Sequence, residues 1–126
     1  MHYSIIIPIY NEKNNILKII LKIQHYLKSI KFEILVIDDD SNDGTKELFK
    51  KIKLKKNVKF IVRKNKPRDL TQSVFLGVSN SKYKNLIIMD GDLQHNPKYL
   101  PKICKIFSKK KIDLLICVRN FKNRYN

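Results

Sequence analysis

Two short acidic runs hold the residues of this 126-residue sequence whose types and spacing could do chemistry. The chain carries 27 Lys and Arg against 11 Asp and Glu, and six of those acids are Asp38, Asp39, Asp40, Asp43, Asp90 and Asp92. In so basic a chain, this clustering needs a cause. Asp90-Gly91-Asp92 follows the apolar run Leu86 to Met89. In an extended segment residues two apart point the same way, so both carboxylates can face one ligand, and Gly91 lets the backbone come close to it. Two carboxylates held together repel one another unless a cation lies between them. Hard oxygen ligands with open positions suit Mg²⁺ or Mn²⁺ bound together with substrate phosphates. The other run sits at the end of a second apolar segment. There Asp39 can accept hydrogen bonds from a nucleobase or ribose, as acids at strand ends of nucleotide-binding folds do. Asp40, Ser41 and Asp43 also suit the cap of a following helix, and an acidic turn is the plain alternative for the Asp90 run.

The elements that must position these acids can be read from the apolar pattern. Tyr3 to Ile9, Phe32 to Ile37, Val58 to Val62, Leu86 to Met89 and Ile112 to Val118 are short β-branched or apolar runs bounded by polar residues, which predicts five strands. Between the first two, Ile16, Ile19, Ile20, Ile23, Leu27 and Ile30 recur at helical spacing with Lys18, Lys22 and Lys28 among them. A second helix is expected after Ser41-Asn-Asp-Gly44, capped by Ser41 or Asp43 and running to about Ile52. Asp69 to Gln72 can cap a third, and Asn96-Pro97 starts a fourth through Leu100, Cys104 and Phe107. Alternating strands and helices predict an α/β fold, a Rossmann-like, mostly parallel sheet with helices on both faces, in a single domain over residues 1–126. Ligands of such sheets bind beyond the carboxyl ends of the strands. Those exits are Pro8 to Glu12, Asp38 to Asp40, Asp90 to Gln94 and Arg119, so the notable polar residues share one edge.

Composition narrows the function classes. With 43% apolar residues and only three Gly and four Pro, the chain should fold. Its net charge of +16 is nearly all Lys, with only four Arg, and aromatics are not interleaved as a base-stacking platform requires. The charge therefore reads as compositional background, and no nucleic acid partner is expected. Cys104 and Cys117 lie in apolar patterns without metal-ligand spacing, which predicts reduced, buried thiols. No window approaches the ~18 apolar residues of a membrane span. A cytoplasmic protein is expected, with peripheral contact at the inner face of the membrane. Neither GxGxxG nor GxxxxGK[ST] occurs, so dinucleotide and P-loop binding have no support.

The segments IIIPIYNE (5 to 12), VIDDDSNDGT (36 to 45) and MDGDLQHNP (89 to 97) together resemble the successive motifs of inverting family-two glycosyltransferases with the GT-A fold. DLQHNP, with RDLTQSV in the basic segment after the third strand, is most similar to the polyprenyl-phosphate branch, the dolichol-phosphate mannosyltransferase-like enzymes. The resemblance implies that Pro8, Tyr10 and Glu12 line a nucleotide pocket and that Ile37 and Asp39 hold base and ribose. It implies that Asp90 and Gly91 contact ribose and diphosphate, that Asp92 and Gln94 ligate Mg²⁺ or Mn²⁺, and that Arg119 reaches toward phosphates. Asp90 and Asp92 are then the catalytic pair, and His95 leads into the helix that follows. The implied partners are a nucleotide-sugar donor of GDP-mannose or UDP-glucose type and a lipid-phosphate acceptor. Such an acceptor is largely ionised at neutral pH, because its second pKa is near ~6, and needs no general base.

The family's catalytic domain is longer than this chain, so the resemblance implies a donor half cut short before the acceptor half, with an oligomer or a complementing chain as a further partner. The alternative from another class is a phospho-receiver signalling domain, whose acidic pocket ILVIDDD resembles. A third is a polyanion-binding module resting on charge alone.

Overall fold

The computed structural model describes residues 1–118. Strand β1 covers His2–Ile9, β2 Lys31–Asp38, β3 Val58–Val62 and β4 Asn85–Ile88. Helix α1 covers Ile16–Tyr26, α2 Thr45–Lys51, α3 Leu70–Ser79 and α4 Leu100–Lys110, the last entered through a 3-10 turn at Pro97–Tyr99. The strands pair in parallel in the order β3-β2-β1-β4. β1 and β2 are therefore central, which explains their unbroken apolar sequences. Ile5, Ile6, Ile7, Ile34, Leu35, Val36 and Ile37 are wholly buried, each burial stabilising the fold by roughly 1.5–3 kcal/mol.

Period two divides those strands between two faces. Ile5, Ile7, Ile9, Ile34 and Val36 meet Ile16, Ile19 and Ile23 of α1, Phe49 of α2 and Leu100 and Cys104 of α4 in one large core. Ile6, Leu35 and Ile37 form a smaller core on the other face with Leu76 of α3. Gly77 lets α3 lie this close, since a Cβ there would stand 2.5 Å from Cγ2 of Ile6. The parallel sheet with helices on both faces is thus as the sequence predicts.

The caps follow local chemistry. Asp69 accepts the N–H of Gln72 at 3.1 Å and starts α3, and Asn96 accepts the N–H of Lys98 at 3.0 Å. At α2 the expectation is half met. Asp43 receives the Thr45 N–H at 3.0 Å, but Gly44 at φ 96° occupies the cap position and Ser41 is turned to other partners.

The predicted fifth strand does not form. Residues 112–118 run irregularly, with Leu114, Ile116 and Val118 exposed by 70–82%. An apolar run records suitability for a pleated, buried surface, but it becomes a strand only by pairing, and residues 112–118 pair with neither outer strand, β3 or β4. β4 pairs with β1 and with no other described strand. For the same reason Cys117 is exposed, against expectation, whereas Cys104 is buried as predicted. Among the described residues, no helix is long and apolar enough to cross a membrane.

Candidate functional site

The strand order reverses at β1, and ligands of such sheets bind in the crevice beyond the carboxyl ends of the strands at that reversal. Three loops of this edge contain a non-glycine residue at positive φ: Asn11 after β1 (54°), Asp40 after β2 (61°) and Leu93 after β4 (68°). Left-handed backbone costs such residues about 1–2 kcal/mol each, so the loops are held in shape by other contacts. For the first two those contacts are visible. Asn11 and Asn42 exchange hydrogen bonds at 3.0 and 2.9 Å, and the Asn11 N–H donates to Ser41 Oγ at 2.8 Å. Lys13 N–H reaches Asp43 Oδ2 at 3.1 Å. Sequence reading missed this lattice, for which paired Asn residues in two loops of one edge were the only signal.

Asp38 and Asp39 are deeply buried and committed to the protein. Asp38 accepts the Ser41 hydroxyl and, at 3.0 Å, the Ser41 N–H. Burial pushes its carboxyl above the usual range, and the Ser41 hydrogen bonds only partly offset that. Asp39 accepts Arg63 Nη1 at 2.9 Å on one oxygen and the Asp69 N–H at 2.7 Å on the other. Asp40 pairs with Lys46 at 2.6 Å, and that hydrogen bond holds its carboxyl below the usual range. A phospho-receiver pocket needs carboxylates open to an ion, so this arrangement removes the physical ground for that alternative.

Around Asp39 lies an open hollow of about 480 Å³, also lined by Tyr10, Asp40, Asn42, Lys66 and Arg68. The Arg68 guanidinium stands 3.8 Å from the centre of the Tyr10 ring. An aromatic face, a guanidinium, a carboxylate and lysines around one hollow suit a planar heterocycle attached to a charged group. Pro8 is buried in β1 and Ile37 is wholly buried beneath α3, and neither lines the hollow. Glu12 accepts the Asn15 amide at 3.0 Å where α1 begins.

The Asp90 loop differs from the sequence expectation in its backbone. β4 ends at Ile88, and residues 91–95 form successive bends, so the period-two rule does not reach Asp92. His95 Nδ1 accepts the Asp90 N–H at 3.0 Å, and His95 Nε2 is 3.6 Å from the Asp90 carboxylate. His95 therefore closes the loop, a role sequence reading did not give it. Asp92 Oδ1 accepts the Gln94 N–H at 3.0 Å. Gly91 is required by packing: a Cβ there would be 2.5 Å from Cγ2 of Ile9, which ties this loop to the end of β1. Asp90 is half exposed and Asp92 partly buried. No three His, Cys, Asp or Glu side chains among the described residues form a metal cluster. Asp90 and Asp92 offer the hard oxygen donors that suit a divalent cation completing its shell from substrate phosphate, as Mg²⁺ sites commonly do. Arg119 lies outside the described residues.

Residues 4–125 match the model of the family described as Glycosyl transferase family 2. The chain is 37% identical over 103 residues to a dolichol-phosphate mannosyltransferase of Pyrococcus furiosus, covering 82% of this chain and 29% of that protein. It is 36% identical over 107 residues to the dolichol-phosphate mannosyltransferase of Saccharomyces cerevisiae, covering 82% of this chain and 40% of that one. The chain thus spans well under half the length of these two curated relatives. Among solved structures it is similar to the mannosyltransferase PcManGT of Pyrobaculum calidifontis, in complex with GDP-Man and Mn²⁺. There the TM-score is 0.75 at 20% identity over 98% of this chain and 37% of that one, a likeness of fold.

Proposed function

The chain belongs to glycosyl transferase family 2, and from that premise we propose that its strand-end crevice binds a nucleotide-sugar donor for transfer of the sugar, with inversion, to a polyprenyl or dolichyl phosphate. The observation that carries this reading is the convergence on one sheet edge of the Tyr10–Asp39–Arg68 hollow and the accessible carboxylates Asp90 and Asp92, joined where Gly91 packs on Ile9. Tyr10 and Asp39 receive the base and ribose, with Pro8 and Ile37 buried in the strands that carry them, and Glu12 holds the start of α1 through Asn15. Asp90 and Gly91 meet the ribose and diphosphate. Asp92 and Gln94 hold Mg²⁺ or Mn²⁺, and Arg119, outside the described residues, is assigned to the phosphates by the family resemblance alone. A cation bound there supplies the charge that stabilises the departing nucleoside diphosphate.

The similarity to dolichol-phosphate mannosyltransferases supports a mannosyl donor and a lipid-phosphate acceptor. An acceptor of that kind accords with a protein working at the inner face of the membrane. Its phosphate oxygen attacks the anomeric carbon from the face opposite the leaving group, and being ionised it requires no base from the protein. Calorimetry tests the donor reading. GDP or UDP should bind with Mn²⁺ or Mg²⁺ present and lose measurable affinity when EDTA removes the metal; equal binding with and without metal overturns it.

A further inference from the structure

We infer that Arg63 is a positioning residue for the nucleoside end of the donor, acting through Asp39 and through the loop that walls the hollow. The inference rests on the donor reading above. Arg63 follows the last residue of β3, and its backbone N–H donates to the Asp38 carbonyl at 2.7 Å, continuing the ladder one residue beyond the strand. Its side chain is 9% exposed and that of Asp39 is 7% exposed, so the ion pair between them is largely removed from water. Nη1 serves two acceptors, Asp39 Oδ1 at 2.9 Å and the Pro67 carbonyl at 3.2 Å. The second Asp39 oxygen takes the N–H of Asp69, the cap of α3. One guanidinium therefore joins the end of β2, the 64–69 loop and the start of α3.

This loop presents Lys66, Pro67 and Arg68 to the hollow, with Arg68 over Tyr10. Arg63 is absent from the residues lining the hollow, so it reaches a ligand only through the groups it holds. In a chain with 27 basic residues of which four are Arg, a buried arginine at this junction is chemically distinctive. A guanidinium is less strongly hydrated than an ammonium and offers its donors in a fixed plane, whereas a lysine there is a flexible point charge. A carboxylate pinned on both oxygens, beside a wall pinned at Pro67, presents a fixed edge to the nucleoside. Among the described residues, Asp90 and Asp92 at the diphosphate end are partnered by His95 and Gln94, outside this network.

The test compares the full chain with Arg63→Lys and Arg63→Met, by calorimetry with Mn²⁺ and three ligands: GDP, UDP and inorganic pyrophosphate. In Arg63→Lys, nucleoside diphosphate affinity should fall about tenfold, equivalent to about 1.4 kcal/mol, while pyrophosphate affinity stays within about twofold. Equal loss for all three ligands would make Arg63 merely structural, and unchanged affinity for all three would overturn the inference too. Arg63→Met should show the larger loss, and if it fails to fold, Arg63→Lys decides alone. If the unaltered protein binds no nucleotide, the donor reading fails, and limited trypsin digestion then judges the positioning claim. Faster cleavage after Lys64 and Arg68 in Arg63→Lys, with an unchanged melting temperature, supports it; equal rates reject it.

Discussion

The acidic loop after β2 and the acidic loop after β4 open on the same edge of the sheet and use the same side chain, yet their carboxylates are in opposite circumstances. After β2, Asp38 is closed by Ser41, Asp39 by Arg63 and Asp69, Asp40 by Lys46, and Asp43 by Thr45 and Lys13. After β4, Asp90 is 53% exposed with His95 Nε2 at 3.6 Å, and Asp92 takes the N–H of Gln94 on one oxygen. Carboxylates whose oxygens are held inside the fold form a scaffold, of which Asp39 and Asp40 also line the hollow, whereas more accessible ones can take a cation. The first loop is therefore a frame that shapes the hollow, and the second is where a cation and phosphates can be met.

The sharpest way to break this contrast is Asp92→Ala. It should weaken metal-dependent nucleotide binding by about 100-fold, or about 2.7 kcal/mol, with no change in melting temperature; a protein that melts early instead would place Asp92 in the frame.

Asp38 should behave in the reverse sense. Asp38→Ala leaves the Ser41 N–H and hydroxyl without their partner in a buried site and should cost about 2 kcal/mol of stability in chemical denaturation. Asp38→Asn keeps the shape without the charge. Because burial raises the folded pKa of Asp38 above its ordinary 3.8, its contribution is most favourable below that value and is lost as pH rises through the folded pKa. Asp38→Asn should accordingly gain on the unaltered protein between about pH 3 and pH 7, and a constant difference would contradict the burial argument.

The smallest effect concerns an acid at the far end of the sheet. Glu33 in β2 is 4% exposed and accepts Ser4 Oγ at 2.6 Å and the Lys82 N–H at 2.5 Å, with Lys59 at 3.5 Å. Burial raises its pKa, but these partners together outweigh burial and leave it below the ordinary 4.5. A depressed folded pKa contributes stability above the unfolded value and loses it as pH falls through the folded one. Glu33→Gln should cost about 1 kcal/mol at neutral pH, fade on acidification below about 4.5, and leave nucleotide binding untouched.

The sequence made the β1-α1-β2 unit legible because both central strands are apolar on both faces and α1 repeats isoleucine at helical spacing. Asp38 to Asp43 and Asp90 to Asp92 were legible as strand exits for the same reason. The division of labour between them was hidden, because it depends on which loops meet in space: Arg63 finds Asp39 across 24 positions and Asn11 finds Asn42 across 31. The run Ile112 to Val118 misled in the opposite way. Its residues have strand character, but pairing is a property of two segments and cannot be read from one.

Among the described residues no strand pairs with the outer flank of β4, which has a colloidal consequence. Leu86 and Ile88 are 39% and 53% exposed there, and a bare parallel edge with apolar side chains is a template for another chain's strand. Lys82 and Lys84 stand immediately before it, and every chain carries a net charge of +16. At low ionic strength that charge keeps copies apart. In concentrated salt, where screening shortens the reach of charge to about 3 Å at 1 M, the same surface becomes adhesive. The lysine excess thus acts as a dispersant for an edge that no described strand pairs.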